Sequence, residues 1–346
     1  MLYLERQPLD TVEDLRIALD NAMKLEFATI PPYLTALYSI KDGTNTAIAA
    51  NLRLIVIQEM LHLSLAANIL NAIDGRPDFP GVVPRYPGPL PMGIGSEPGK
   101  PFIVPLKKLS HETVRDVFMI IEEPEEPIVF PEKKSTLEAM APEYHTIGEF
   151  YMAVSQLIGE LGNKVFTGDP KRQVTGWFGP DQLFPIKDVE SAQKAIAIIV
   201  TQGEGTPTDP SGGPSGLAHY YRFEEIARGQ TLTRDLHDPP YYSWGPPPIV
   251  LDTDGVWPVV DNAPDVPLPE NSPVATASRQ CDRTFSALVD ALQETFDGNP
   301  DHLNASIGLM YSLRLQAQEL VAMPIPNLVC VTAGPRFLYD ANSASG

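Results

Sequence analysis

The stretch Leu52-Arg53-Leu54-Ile55-Val56-Ile57-Gln58-Glu59-Met60-Leu61-His62-Leu63-Ser64-Leu65-Ala66 decides the fold. Leu52, Ile55, Glu59, His62, Ala66, Ile69 and Ile73 follow one another at alternating steps of three and four residues, the buried stripe of a bundle helix. A carboxylate and an imidazole therefore point into a core. An unpaired buried carboxylate costs on the order of several kcal/mol, so the pair needs an internal partner, and a metal ion is the economical one. A buried ion pair, or a histidine bonded to its own helix, would give the same pattern.

The first helix repeats the anomaly. Val12, Leu15, Leu19 and Ala22 form a stripe whose next member is Glu26. Asp10 and Glu13 have the spacing of a capping box, which starts the helix near the N-terminus and leaves Glu26 well inside it. Pro31 and Pro32 are expected to interrupt or kink the helix one turn later. Two seams each carrying a metal-type ligand weaken the ion-pair reading. A zinc-protease motif would need His before Glu59, and the residue there is Gln58.

At 346 residues with 43% hydrophobic content, the chain can bury a large core. The net charge of −19 disfavours nucleic acid and anionic membrane surfaces as partners. No apolar run reaches the ~20 residues needed to span a bilayer and no signal-peptide pattern opens the chain, so a cytoplasmic location is expected. Cys281 and Cys330 make neither a disulfide framework nor a metal motif. Proline is abundant, 36 residues against a usual ~5%, and clusters in two stretches, residues 76–105 and 239–273, expected to run extended over the surface.

Helices are expected over residues 11–40 and 46–73, the second stopped by Gly75, then a short one over 110–121 followed by the acidic run Glu122-Glu123-Pro124-Glu125-Glu126, read as a solvated turn. Further helices are expected over 146–161 and 189–202, with two more over 277–296 and 302–323. This order is that of an all-α, ferritin-like four-helix bundle with a long crossover, Pro-rich surface segments and two extra C-terminal helices. Residues 1–235 would form the bundle with an inserted connection at 76–145. Residues 236–346 would supply a Pro-rich wrap and helices packing on the same domain. Bundles of this kind hold two iron or manganese ions with two single Glu residues and two Glu-x-x-His pairs, a donor set suited to hard divalent cations.

The remaining ligands are less regular. Thr146 and Glu149 have capping-box spacing, and on spacing alone Glu149 is a cap or a ligand equally well. No second Glu-x-x-His exists. Glu204 and His219 are separated by a Gly/Pro-rich insertion that no helix survives, so they converge only if the fourth helix breaks after Glu204 and restarts at Leu217, with His219, Phe223 and Ile226 as the resumed seam. A histidine that merely packs the restarted helix is the alternative.

Leu25-Glu26-Phe27-Ala28-Thr29-Ile30-Pro31-Pro32-Tyr33-Leu34, Glu59-Met60-Leu61-His62, Ile147-Gly148-Glu149-Phe150-Tyr151, Gln202-Gly203-Glu204-Gly205, His219-Tyr220-Tyr221-Arg222-Phe223 and Thr332-Ala333-Gly334-Pro335 together resemble the ferritin-like domain family of iminophenylpyruvate dimer synthase, known from violacein and indolocarbazole assembly. The resemblance covers about residues 10–230. It implies that Glu149, Glu204 and His219 complete a metal site with Glu26, Glu59 and His62. It further implies a non-haem di-metal, di-iron oxidase or oxygenase acting on a small, amino-acid-derived imine, with dioxygen as co-substrate. Tyr33, Tyr151, Tyr220 and Tyr221 lie close in sequence to these ligands and are available as hydrogen-bond donors to them. Iron storage without turnover is a second reading, although the long proline-rich connection would obstruct assembly of a shell. A metal-free interaction protein with a relic site is a third, opposed by the self-repulsion of clustered carboxylates.

Overall fold

The computed structural model describes residues 9–97, 99–124, 147–206, 209–234 and 241–341. Helix α1 (Val12–Tyr38) opens on a capping box one residue later than expected: Thr11 Oγ1 accepts from Asp14 N at 3.1 Å and Asp14 Oδ2 accepts from Thr11 N at 2.9 Å. The sequence offers two overlapping pairs with the same spacing, and the one led by the β-branched, extended Thr11 is used. Leu15, Ala18, Leu19, Ala22, Met23 and Glu26 line its buried face.

The expected break at Pro31 and Pro32 does not occur, and α1 runs through both. Pro32 has no N–H to give to the carbonyl of Ala28 four residues back. Tyr86, from the segment after the second helix, donates its hydroxyl to that carbonyl at 2.7 Å and replaces the missing bond. Replacing Tyr86 with Phe should leave the buried Ala28 carbonyl unsatisfied, at about 1–3 kcal/mol. Thermal melts of the metal-free variant should fall by several degrees, at ~2–4 °C per kcal/mol for a large domain; an unchanged melt would mean that the carbonyl has another partner.

Helix α2 (Thr46–Ala72) lies along α1, buried over most of its length. Among the described residues it is the one helix long and apolar enough to cross a bilayer, and most of it is buried inside the bundle. The proline-rich connection that follows carries two short antiparallel ribbons, β1 (Gly88–Pro89) with β4 (Ile103–Val104) and β2 (Gly95–Glu97) with β3 (Lys100–Pro101). Next comes a short helix, α3, made of a turn at His111–Thr113, a wide π turn at Val114–Phe118 and a last turn at Met119–Ile121. Ser110 caps it, accepting from Thr113 N at 2.9 Å. Wide turns of this type often sit next to functional residues.

Helices α4 (Ile147–Leu161) and α5 (Val189–Gly203) complete the second half of the bundle, α5 opening on the capping box Asp188/Ser191. Thr146, the expected cap of α4, lies outside the described residues. The fourth helix does break: α5 ends at Gly203, the chain loops out, and α6 (His219–Arg228) resumes with His219, Phe223 and Ile226 fully buried. Antiparallel β5 (Gln230–Arg234) and β6 (Tyr242–Pro248) follow. Helices α7 (Pro273–Phe296) and α8 (Leu303–Val321) pack as a pair against α1, with the rings of Phe27 and Phe285 6.2 Å apart. The molecule is all-α apart from these ribbons.

Candidate metal centre

The apolar stripes that bury α1 and α2 carry Glu26, Glu59 and His62 into the space between them, at 5%, 2% and 2% exposure. His62 Nδ1 lies 3.5 Å from Glu26 Oε2 and 3.9 Å from Glu59 Oε2. The resumed helix α6 brings His219 to the other side of Glu59, with Nδ1 2.7 Å from Glu59 Oε1. The two imidazoles stack at 5.5 Å between centroids.

Glu122 is the ligand-type residue that the sequence reading missed. Read as part of a solvated acidic turn, it is instead 8% exposed at the end of α3, with Oε2 3.5 Å from His219 Nδ1. A signal was present, because Val114, Val117, Phe118 and Ile121 form a buried stripe whose next member is Glu122. That is the pattern that exposed Glu26. Glu125 and Glu126 lie outside the described residues.

Among the described residues, two groups with ligand atoms mutually within 4.8 Å result: Glu26, Glu59 and His62, and Glu59, Glu122 and His219. Glu59 belongs to both. Glu204 stands on the wall of the same cavity as the C-cap of α5. Its Oε1 accepts from Gly148 N at 2.7 Å, at the start of α4, where the helix dipole favours an anion. Gly148 is needed there, since a Cβ would meet Glu204 Oε2 at 2.4 Å. From α4, Ile147, Gly148 and Tyr151 line this cavity, and Glu149 is not among its lining residues.

The donors around the groups are ordered. His62 Nε2 pairs with Gln202 Oε1 at 2.9 Å, and Gln202 in turn donates to Gln182 Oε1 at 2.9 Å. His219 Nε2 faces Gln58 Oε1 at 3.3 Å. With each glutamine oxygen opposite Nε2, the Nδ1 atom of each ring is turned toward the carboxylates. Tyr151 donates to Glu26 Oε1, Tyr33 donates to Glu122 Oε1 at 2.5 Å, and Thr29 Oγ1 lies 3.0 Å from Glu59 Oε2. Tyr220 and Tyr221 pack instead in a separate cluster with Trp244 and Leu232.

Burial, then the charges of Glu122 and Glu26, push the Glu59 carboxyl well above the usual range. Burial also opposes charge on Glu26, but the His62 hydrogen bond and charge outweigh it and hold that carboxyl low. For His62, desolvation works against the proton, and Glu26 and Glu59 outweigh it and raise the imidazole. Burial pushes both phenols far up, reinforced by Glu122 at Tyr33 and by Glu26 at Tyr151, so both stay protonated donors.

His219 decides whether a cation fits these residues. Its Nδ1 is buried and has no hydrogen-bond partner despite the 2.7 Å approach of Glu59, because the contact lacks the alignment a hydrogen bond requires. A buried ring nitrogen that faces two carboxylates without an aligned hydrogen bond is stabilised by a cation placed among them. Imidazole and carboxylate oxygen are the donor types that iron and manganese accept. The residues fit a metal ion.

A helical bundle with a long crossover and a central carboxylate–histidine cluster defines a ferritin-like protein. A family model described as ferritin-like matches residues 19–228, so the chain belongs to the ferritin-like family. Among solved structures, the crystal structure of a ferritin-like protein from Caulobacter vibrioides is 25% identical, superimposes with a TM-score of 0.62, and aligns over 96% of this chain and 100% of that one. No curated protein matches the chain.

Proposed function

We propose that the protein is a non-haem di-metal oxidase or oxygenase. Its two iron ions, or manganese in their place, would be held by Glu26, Glu59, His62, Glu122 and His219, with Glu204 closing the set from the cap of α5. The observation that carries this reading is the unpartnered, buried Nδ1 of His219 beside a carboxylate shared by two ligand groups. When bound, the metal pair supplies the redox chemistry with dioxygen.

The chain's own residues orient and insulate. Gln58 and Gln202 fix the ring orientations of His219 and His62. Tyr33 and Tyr151 donate hydrogen bonds to the outer oxygens of Glu122 and Glu26. Leu25, Ile121, Ile147 and Ile199 make the remaining wall apolar, which limits the entry of bulk water. The cavity has a volume of about 40 Å³, room for a few groups of the size of water or dioxygen. That space favours small reactants.

The resemblance to the iminophenylpyruvate dimer synthase domain supports an amino-acid-derived imine as substrate and secondary metabolism as the setting. Unbridged Cys281 and Cys330 suit the reducing cytoplasm. Anaerobic titration with ferrous iron should saturate near two ions per chain, and admitting oxygen should oxidise the bound iron without building a mineral core. Uptake of tens of irons per chain would favour storage. Failure to take up iron or manganese would favour the metal-free interaction protein.

A further inference from the structure

A second, unrelated cavity lies on the far side of the α1–α2 pair, between those helices and α7–α8. Its inner chamber is apolar, walled by Phe27, Ile30 and Leu63 on one side and Phe285, Leu288 and Leu313 on the other. It connects through Leu34, Tyr38, Met60 and Met310, which line both, to an outer chamber that opens to solvent. The inner chamber has a volume of about 80 Å³ and the outer one about 390 Å³. Phe27, Ile30 and Leu34 line this cavity, whereas Glu26 and Thr29 of the same helix line the metal cavity, so α1 contributes different residues to the two.

The charges at the outer chamber are uneven. Lys41, Arg53 and Arg314 face Asp42 alone among carboxylates. Lys41 is committed, donating to the Asp254 carbonyl at 2.7 Å and lying 5.0 Å over the Trp257 ring. Neither Arg53 nor Arg314 forms an ion pair with any described residue. In a chain of net charge −19, two unpaired guanidinium groups at the mouth of an apolar chamber are out of keeping with the surface. Guanidinium matches carboxylate geometry in a way that an ammonium does not.

We propose that this cavity binds a single-chain, medium-length carboxylate amphiphile, with the acyl chain in the inner chamber and the carboxylate between Arg53 and Arg314. The combined space is that of a drug-sized ligand and too small for a two-chain lipid. Trp177, 44% exposed, lines both chambers and provides the optical signal.

The test is titration of the full chain with decanoate below its micellar concentration, followed by tryptophan fluorescence and calorimetry. Saturation at one decanoate per chain is expected, with 1-decanol binding at least about tenfold more weakly for want of a head-group contact. R53E and R314E together should weaken decanoate by about tenfold or more and leave decanol unchanged; both side chains are exposed and form no ion pair with a described residue, so folding should be unaffected. Met310→Trp should fill the chamber and weaken both ligands. Trp177→Phe should remove most of the optical signal while calorimetry still reports binding. Unsaturable binding, equal affinity for decanoate and decanol, or indifference to the charge reversal would each overturn the proposal. So would a dimer in sedimentation that decanoate dissociates, since the face would then belong to a second copy of the chain.

Discussion

Replacing Glu59 with Ala is expected to abolish uptake of both cations, whereas Glu122→Ala should leave about one ion per chain. The difference follows from position: Glu59 is the carboxylate common to both ligand groups, while Glu122 belongs only to the group with His219. Losing an outer hydrogen-bonding partner of a ligand weakens a metal by about 10–100-fold, and losing the shared ligand itself should cost more. Elemental analysis after anaerobic loading, with circular dichroism to show that each variant is folded, reads the result directly. Two ions retained by the Glu59 variant would mean that the groups do not share this carboxylate. A Glu122 variant that still takes up two would return that residue to the solvated turn.

The second large effect is on stability. In the metal-free protein, Glu59 has a raised folded value, so its contribution is complete below its ordinary 4.5 and lost as pH rises through the folded value. His62, also raised, contributes fully below its ordinary 6.5 and loses that contribution as pH rises further. Glu26 is depressed, so its contribution is complete above 4.5 and lost only on acidification. Between about pH 5 and 8 the two declining contributions govern, and the metal-free protein should melt lower as pH rises. Metal has the opposite dependence, because its ligands must be deprotonated. At a thousandfold excess over Kd each cation adds about 4 kcal/mol, or on the order of 10 °C at ~2–4 °C per kcal/mol. Melting curves of loaded and chelated protein should therefore diverge towards pH 8. Parallel curves would mean that the carboxylates are already paired without metal.

Much of the fold was legible because apolar residues recur at three- and four-residue steps along α1, α2 and α6, and a polar residue in such a series stands out at once. Glu26, Glu59, His62 and His219 could be named for that reason. Glu122 escaped because its neighbours Glu123, Pro124, Glu125 and Glu126 gave the segment a surface composition, while the stripe that places it belongs to a helix of only three turns. For Glu149 the sequence left cap and ligand open, and only the rotation of α4 shows which residues face the cavity. The uninterrupted course of α1 through two prolines was illegible in principle, since the compensating hydroxyl of Tyr86 is distant in sequence and close only in the fold.

The two ligand groups also differ in when they can exist. Glu26, Glu59 and His62 all belong to the α1–α2 hairpin, a local contact that closes early and at small entropic cost. Glu122 and His219 arrive from the crossover and from the resumed helix, and they meet only after most of the intervening chain has collapsed. Chains are made from the N-terminus, so the hairpin half precedes the other during synthesis. In the proposed site, one cation would then be captured by a partly folded chain, neutralising Glu59 before the second carboxylate comes near it. In the proposed di-metal site, the order of loading would in this sense be written into the order of the helices.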